Sequence, residues 1–527
     1  MTVINVLLNV LLLILMYSVL GYYVLYPSNR QDTKIVYVSD CVNVENPEIE
    51  ENKTEDIVNL KKNKKKSILD LSNTGIVNLK KSFASSSDIT GIKLSDNNIW
   101  KIENGAFDSL PNLKSIDFTG NLIKFDQLNF GNHAGIETLI LDRAIRNRDH
   151  SNSSYHSNDE CSKAQTYREQ SLSFNNTIRL TTSLNLPGLK KLYLRQNNID
   201  LIYFGDVKSL GDIMPRISHL HLDDNRLSSL DFIRSLPSSL THLYLNNNEI
   251  SDFKSYSWIN LKFLTIDGNK IKNLCRSYEN CEGMALKNAL NLRTLSVSNV
   301  GLEEIELDSF INLVNLRYLN MSHNKIIEIV NHTLNYMTNL KTLDLDHNEL
   351  VTVPDILGLK NLKNLSIAHN KIETIGKSDF LRLANLQRLN LSYNLVHEID
   401  AESFSTSALL TELDLSGNRL EVLPSGWLSS NLNLRRLYLK NNLFQSFASL
   451  SLADNENVKY LYISGNPFEL INRQSLMFLP VNAIMDIRKI ISGLSDMSIS
   501  GSTSCLSVLS FPLTYLYCVI LSCYYFS

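Results

Sequence analysis

The sequence lacks the short motifs that mark most catalytic and nucleotide-binding sites. It contains no glycine-rich phosphate loop, no cysteine–histidine cluster with metal-ligand spacing and no nucleophile elbow. It also lacks a basic excess, since 51 Lys and Arg stand against 54 Asp and Glu for a formal net charge of −3. These absences exclude a recognisable cofactor, metal or catalytic site. They also argue against nucleic acid as a partner, because a phosphate backbone is bound by a basic surface.

Glycine and proline are sparse as well, with 20 and 11 residues among 527, whereas asparagine and leucine are visibly overused. A single hydrophobic core rarely grows to this length. The chain is therefore expected to contain either several domains or an array of repeats.

An apolar segment lies in residues 1–26 and runs almost without interruption from Val3 to Tyr26. No Lys or Arg precedes it, which is atypical of a signal peptide. It is expected to act as a signal peptide, cleaved after Gly21, or as an uncleaved signal anchor long enough to span a bilayer. Both alternatives send the chain into the secretory pathway.

A second apolar run lies in residues 493–527 and follows a spacer of small and polar residues. That order is typical of a GPI-attachment signal, with Ser492 or Gly493 as the candidate attachment site. The alternative is a transmembrane tail. Through a lipid or a helix, the protein is expected to reach the extracellular face of the cell surface.

The cysteine count is odd, at seven, which is awkward for a secreted protein. Three cysteines lie in the tail, and the other four are an even number that suits an oxidising compartment: Cys41, Cys161, Cys275 and Cys281. Cys275 and Cys281 are close enough in sequence for a local disulfide. Cys41 and Cys161 are left to pair with each other or with a partner chain.

An internal repeat dominates the rest of the sequence. The segment LKTLDLDHNEL from Leu340 recurs as LQRLNLSYNLV from Leu386 and as LTELDLSGNRL from Leu410. The pattern L-x-x-L-x-L-x-x-N-x-L fits about sixteen places between Leu69 and Phe468, mostly 24 residues apart toward the C-terminus. Its alternating x-L-x-L core predicts a short strand with inward leucines and outward x positions. Stacked strands would form one parallel sheet, and the asparagines would form a hydrogen-bonded ladder.

This pattern resembles the leucine-rich-repeat family in its longer extracellular subtype. The resemblance implies an α/β solenoid, a horseshoe of about sixteen repeats with a parallel concave sheet. Repeats are expected at residues 67–143 and 188–468, an excursion loop at 144–187, and caps at 27–66 and 469–492. The chain departs from the family because these caps lack the usual paired cysteines, so an apolar segment, LMFLPVNAIMDI, is expected to cover the last repeat.

Other features of the pattern have plain structural interpretations. Phenylalanines before the strands are expected to form the core of the convex side: Phe107, Phe310, Phe380 and Phe404. His323, His347 and His369 precede three successive ladder asparagines and should stack along one edge of the sheet. The basic cluster Lys61–Lys66 either binds a heparin-like polyanion or pairs with the acidic segment before it. Seven glycosylation sequons occur: Asn52, Asn152, Asn175, Asn320, Asn331, Asn364 and Asn390.

Candidate binding residues are the outward strand positions that flank the sequons at Asn320, Asn364 and Asn390. The first group is Lys191, Tyr193, Arg195, His219, His221, His242 and Tyr244. The secondary group is Arg435, Arg436, Tyr438, Lys459, Tyr460 and Tyr462. Tyrosine and arginine are enriched in interface hot spots. The alternative is that aligned tyrosines only pack on one another.

The family resemblance extends to coil-less insect leucine-rich immune proteins, Toll-like receptor ectodomains and the chaoptin and connectin type of adhesion protein. It implies a binding protein with an extracellular protein or glycan ligand, and no enzyme activity or cofactor. The expected role is innate-immune recognition or that of a co-receptor. The alternative role is a GPI-anchored cell-adhesion molecule, and homodimers and heterodimers are both compatible with such a surface.

Overall fold

The computed structural model describes residues 67–486, with gaps at 132, 147–175, 234–236, 253–258, 278–282, 287–288, 454, 469–473 and 482. The segments 1–26, 27–66 and 487–527 therefore lie outside the described residues, as do Ser492 and Gly493. Among the described residues, no helix combines the length and the hydrophobicity needed to cross a membrane.

One parallel sheet of seventeen short strands runs through the described part of the chain. Consecutive strands of this main sheet pair in chain order. The strands are β1 Ser67–Asp70, β3 Ile89–Lys93, β5 Ser115–Asp117, β6 Thr138–Ile140, β8 Lys191–Tyr193, β10 His219–His221, β11 His242–Tyr244, β12 Phe263–Thr265, β15 Thr294–Ser296, β17 Tyr318–Asn320, β18 Thr342–Asp344, β19 Asn364–Ser366, β21 Arg388–Asn390, β23 Glu412–Asp414, β24 Arg436–Tyr438, β25 Tyr460–Tyr462 and β26 Ile484–Asp486. The expected parallel solenoid is confirmed.

The opposite side of the solenoid is made of turns, short strands and single helical turns. Four small parallel sheets lie there: β2 Asn78–Leu79 with β4 Lys101–Ile102; β7 Asn176–Leu180 with β9 Ile199–Phe204; β13 Asn273–Cys275 with β14 Met284–Ala285 and β16 Glu304–Ile305; and β20 Thr374–Ile375 with β22 Glu398–Ile399. In the described residues the helices are α1, Leu210–Ile213, and four 3₁₀ turns at Phe125–Gln127, Asp231–Ile233, Ala448–Leu450 and Ser475–Phe478.

The core is a continuous stack of leucines between the two sides. Leu343, the middle residue of β18, is fully buried, and Leu319 and Leu365 lie beside it in register on the neighbouring strands. The predicted phenylalanine core is also present, and the rings of Phe380 and Phe404 stack with centroids 5.6 Å apart. Each repeat alone would expose this apolar face, so only stacking removes it from water.

The asparagine ladder forms as the sequence pattern predicts. The Asn370 amide nitrogen donates to the carbonyl oxygens of Leu345 and Ile367 at 3.0 and 3.1 Å, and its oxygen accepts from the Leu350 N–H at 3.0 Å. One side chain therefore bonds backbone groups of two consecutive repeats, and the two carbonyl oxygens also accept from the adjacent ladder asparagines, Asn348 and Asn394. Ala144 occupies a position where the repeat pattern expects a ladder asparagine. Its backbone N–H donates to the Asn197 side-chain oxygen of the following repeat at 2.8 Å.

Two boundaries differ from the expected ones. Residues 176–187, expected within the excursion loop at 144–187, contain β7 and the buried Leu184 and Leu186, so this end of the segment is part of the solenoid. The main sheet also continues past Phe468, because β26 adds a strand in the expected C-terminal cap. There Met485 is buried opposite Leu461 and takes the place of the usual leucine.

Candidate functional site: aromatic groups on the main sheet

The outward face of the main sheet is formed by the first and third residues of each strand. These side chains stand on either side of a buried leucine and are partly exposed, as in β10 and β11. Parallel strands lie about 4.8 Å apart, so equivalent side chains of neighbouring repeats touch. Residue types that recur at one outward position therefore form columns along the sheet.

Two aromatic columns lie side by side on four consecutive strands, and together they are called the aromatic platform: Tyr193, His221, Tyr244, His219, His242 and Phe263. In the first column, His221 stacks on Tyr193 at 4.2 Å and on Tyr244 at 4.0 Å, with the planes within 10° and 7° of parallel. In the second, His219 and His242 stack at 4.1 Å, and Phe263 follows at 5.6 Å. The structure thus brings the five predicted rings together, and it places Lys191 in register beside His219 at the start of the second column.

Phe263 completes the platform and was not among the predicted residues. Its ring lies 4.9 Å from Tyr244 and joins the two columns at the end of the platform. The signal in the sequence was its register, since Phe263 occupies on β12 the position that His242 occupies on β11.

An ion pair borders the platform beside Tyr193. The Arg195 guanidinium donates to one oxygen of the Asp142 carboxylate at 2.9 and 2.6 Å, and the Arg195 backbone N–H donates to the other oxygen at 2.8 Å. The guanidinium carbon lies 5.4 Å from the centre of the Tyr193 ring. Asp142 raises the pKa of Arg195, so the cation is held in place and permanently charged.

The two histidines of the second column are neutral near pH 7. Burial lowers the pKa of His219 to about 4, helped by the charges of His242, Lys191 and His221. Burial is also the main cause that lowers the pKa of His242. Each ring is anchored at Nδ1 by the hydroxyl of the residue before it, Ser218 at 2.9 Å and Thr241 at 2.8 Å. The second column therefore presents uncharged rings with fixed orientations. In the described part of the chain, no group of three His, Cys, Asp or Glu is placed to hold a metal ion.

The secondary group is only partly assembled. Tyr438 and Tyr462 stack at 4.5 Å, and the Arg436 guanidinium lies 5.7 Å from the Tyr460 ring. Lys440, which was not predicted, lies 4.9 Å from the Tyr462 ring centre. Lys459 precedes β25 and is exposed, on the edge of the sheet and not over it. Burial is the main cause that raises the pKa of Tyr438 to about 12.

Arg435 does not join this group, although the sequence placed it there. One guanidinium nitrogen donates to the carbonyl oxygens of Leu432, Leu434 and Asn457 at 3.0 to 3.3 Å. The side chain is therefore bound to the edge of the sheet, because the residue before a strand faces the loop side and not the outward face.

Three sequon asparagines lie between the two groups. Asn320, Asn364 and Asn390 occupy outward positions of β17, β19 and β21 and are half-buried. Asn331 is exposed outside the main sheet, and Asn52, Asn152 and Asn175 lie outside the described residues. Cys275, on β13, is disulfide-bonded, whereas Cys281 lies outside the described residues, so the pair Cys275–Cys281 stays a prediction.

A third aromatic column follows the strands at the edge of the sheet. His323, His347 and His369 stack at 4.2 and 4.1 Å, as expected, and Tyr393 extends the column at 4.5 Å. All four residues are exposed and have a left-handed backbone, with φ between 54° and 56°. The pKa of His347 is lowered by burial first and then by the charges of the two neighbouring histidines.

The opposite edge carries a second asparagine ladder that the sequence reasoning missed. Each side-chain amide donates to a backbone carbonyl of the preceding repeat, for example Asn315 to Leu290 at 2.8 Å and Asn361 to Thr338 at 2.9 Å. The recurring Asn-Leu pair before each strand was the available signal. This ladder fixes the edge of the sheet at which the chain enters each strand.

Comparison with known families agrees with this architecture. The family model described as "Leucine rich repeat" matches residues 66–125, 291–350, 360–420 and 408–468, and a two-copy model of leucine-rich repeats matches residues 215–258. Over 135 residues the chain is 29% identical to lumican of Bos taurus, which covers 21% of this chain and 37% of lumican. The match thus spans little more than a third of that relative.

Two solved structures share the fold. A leucine-rich-repeat protein of Leptospira interrogans superposes with a TM-score of 0.55 at 22% identity, covering 79% of this chain and 95% of that chain. A chain of the Drosophila Toll–Spatzle complex superposes with a TM-score of 0.51 at 18% identity, covering 75% of this chain and 46% of that chain. With the matching repeats and the parallel solenoid, the chain belongs to the leucine-rich-repeat family.

Proposed function

We propose that this protein is an extracellular, membrane-attached recognition protein that binds a protein ligand on its aromatic platform. The observation that carries the proposal is the pair of stacked columns, in which His221 lies 4.2 and 4.0 Å from two tyrosine rings. Rigid rings lose little conformational entropy on binding, and tyrosine is enriched in interface hot spots. The Arg195–Asp142 pair adds a fixed cation at the border of the platform.

Charge and shape favour a protein ligand over a small molecule. The platform spreads six aromatic rings over β8, β10, β11 and β12 in two stacked columns, whereas a drug-sized ligand needs a concave site that surrounds most of its surface. A protein ligand can cover such a surface with apolar and aromatic contacts and exclude water from it. Toll, whose fold is similar, forms a complex with Spatzle that acts in Drosophila development and innate immunity.

A homophilic adhesion role is the second candidate. Tyr438, Tyr462 and Arg436 form a second aromatic and basic surface on the same sheet, and Glu412 lies within 4.0 Å of Arg436. Two surfaces of similar chemistry would let copies on apposed cells engage each other. An innate-immune recognition protein or co-receptor instead needs only the first surface.

The test is an interaction screen of the full-length protein, displayed on cells, against a library of secreted and cell-surface proteins. For a ligand of the platform, Tyr193→Ala with Tyr244→Ala weakens binding by at least about 2 kcal/mol, roughly 30-fold, because two hot-spot rings are removed. The matched control is Tyr438→Ala with Tyr462→Ala, which also breaks one aromatic column and has the smaller effect. If the control pair abolishes binding while the platform pair leaves it intact, the assignment is wrong.

A cell-aggregation assay separates the two roles. Cells that display the full chain stay dispersed if the protein is a recognition protein or co-receptor. Aggregation that requires the chain on both cells, and that is lost in Tyr438→Ala with Tyr462→Ala, supports the adhesion role.

A further inference from the structure

A row of five cations runs along the edge where the chain enters the strands of the main sheet. The row consists of the residues directly before β12, β15, β17, β18 and β19: Lys262, Arg293, Arg317, Lys341 and Lys363. All five side chains are exposed. Each backbone N–H donates to the carbonyl oxygen of the previous member, at 2.8 to 2.9 Å. The cations are thus held in line, about 4.8 Å apart and about 19 Å from end to end.

The basic row has no acidic neighbours in its own strip of surface. Five-residue segments centred on the edge contain no Asp or Glu in any of the five repeats: residues 259–263, 290–294, 314–318, 338–342 and 360–364. Lys360 adds a sixth cation to the last of them. Among the described residues, no member of the row forms an ion pair.

Elsewhere on the solenoid, repeated lysines are paired. On the far edge of the same repeats, Lys325 contacts Glu303 at 3.3 Å and Lys371 contacts Glu349 at 2.8 Å. Nearer the N-terminus, Glu137 lies between Lys114 and Lys190, which occupy the same position before their strands as the basic row. The unpaired row therefore differs from other charged columns of the molecule, although the whole chain is slightly acidic.

We propose that the basic row binds a linear sulfated polysaccharide of the glycosaminoglycan type. Five like charges at this spacing repel one another, and a polyanion lying along them relieves the repulsion and releases its own counterions. An extended chain fits better than a small anion, because the cations form an open line and do not converge on one point. The disulfide at Cys275 indicates an oxidising compartment, where such polysaccharides occur.

The border of the row favours a polysaccharide over a single-stranded nucleic acid. Ile259, Leu290 and Val314 flank it with side chains that are 48%, 43% and 39% exposed. Proteins that bind single strands place aromatic rings beside the basic track so that bases stack on them. On the side away from the strands the flank is aliphatic, and it suits the apolar faces of sugar rings. On the strand side an aromatic residue follows the cation at only two of the five positions, Phe263 and Tyr318.

The experiment measures the affinity of the glycosylated full-length protein for heparin as a function of salt concentration. The test variant is Lys262→Gln with Arg317→Gln and Lys363→Gln. The control, Lys270→Gln with Lys325→Gln and Lys371→Gln, makes the same charge change in the same three repeats at the far edge. We expect the test variant to bind heparin at least about tenfold more weakly, with a shallower salt dependence, and the control to stay within about twofold of wild type.

Three results would overturn the proposal. The first is equal weakening in the test and control variants, which would reflect net charge alone. The second is loss of heparin binding on replacing the five lysines of Lys61–Lys66 with Gln, with binding retained in the test variant. The third is tighter binding of single-stranded RNA than of heparin at the same salt concentration, which would identify a nucleic-acid surface. Matching melting curves for the three variants exclude unfolding as the cause of any loss.

Discussion

At the scale of single residues, the ladder asparagines and the left-handed residues before them do the most to hold consecutive repeats together. In Asn370, a short amide bonds the backbone of two repeats at once because the preceding His369, at φ 54°, turns the chain away from the strand. Asparagine, aspartate and glycine tolerate this conformation, and histidine is enriched in it as well. The histidine column is therefore explained by backbone geometry before any chemistry is invoked.

The first prediction compares the two asparagine ladders. Asn370→Ala leaves the buried Leu350 N–H without its acceptor, whereas the carbonyl oxygens of Leu345 and Ile367 still accept from the adjacent ladder asparagines, so we expect a loss of about 2 kcal/mol in the free energy of unfolding. Asn361→Ala removes one exposed hydrogen bond to Thr338 and should cost about 1 kcal/mol or less. Urea unfolding of both variants measures the difference. Equal losses of stability would mean that water reaches the ladder that contains Asn370.

The second prediction concerns Gly417, which ends the column of His323, His347, His369 and Tyr393. It has φ +69°, and an added Cβ would lie 2.7 Å from the Tyr393 ring. Gly417→Ala therefore combines a conformational cost of about 1 kcal/mol with displacement of that ring from the column.

Gly301 is the matched control for this prediction, since it has φ +77° with no atom within 4 Å of an added Cβ. Gly301→Ala should show only the conformational cost. In thermal unfolding, its loss of stability should be about 1 kcal/mol smaller than that of Gly417→Ala. A control that is destabilised as much as Gly417→Ala would show that the ring contact contributes nothing.

At the scale of elements, three-residue strands explain why functional side chains lie in columns. Each strand buries one leucine and leaves two outward positions, and in-register pairing repeats those positions along the sheet. A column of one residue type is therefore both a packing unit and a surface. On β10 and β11 the second column buries part of the His219 and His242 imidazoles and so lowers their pKa values.

The third prediction concerns how the stability of the folded protein depends on pH through His219 on β10. Because the pKa of His219 falls to about 4 in the folded protein, the unfolded chain binds more protons between pH 4 and 6.5. The histidine therefore lowers stability progressively as the pH falls through this window, and it has no such effect above it. Burial raises the pKa of Asp267, Asp344 and Asp414, which act in the opposite direction.

A variant at His219 separates the effect of this histidine on stability from the effect of the carboxyl groups. His219→Gln should lose less stability than wild type when the pH is lowered from 7 to 4.5. An NMR titration of His219 should give a midpoint well below 6.5. A midpoint at or above 6.5 would contradict the burial of this ring.

At the scale of the whole solenoid, the outward face of the main sheet is divided along its length. The aromatic platform lies on β8 to β12, the sequon asparagines on β17 to β21, and the secondary group on β24 and β25. Repeat arrays contact only their nearest neighbours, so each zone keeps its character independently of the others. A ligand on the outward face therefore meets the chemistry of one zone at a time, whereas the basic row follows the edge of the sheet from β12 to β19.

The fourth prediction is that glycans occupy Asn320, Asn364 and Asn390, which point outward from β17, β19 and β21. Glycans there would cover the middle of the sheet and leave the platform as the accessible surface. Glycopeptide mapping by mass spectrometry tests this, with the exposed Asn331 as the reference site. Unmodified asparagine at all three strand positions would remove the argument that the middle zone is blocked.

Most of the fold could be predicted because the repeat is a strong physical constraint. Leucines with a period of two within the strand, recurring every 24 residues, can be buried only by stacking the strands in parallel. The same regularity located the ladder asparagines, the phenylalanine core and the stacked histidines. Irregular steps were harder, since β7 and β26 carry weaker matches to the pattern and were assigned to an excursion loop and a cap.

The repeat pattern is sufficient to predict the class of molecule: a parallel leucine-rich solenoid whose outward strand residues form its surface. The three-dimensional arrangement sets which residues are neighbours on that surface, because repeats of 21 to 31 residues and one long insertion bring distant positions side by side. It placed Phe263 on the platform, turned Arg435 to the edge and aligned Lys262 with Lys363. A net charge of −3 concealed that row, since charge sums over the chain while recognition depends on the few charges that the fold aligns.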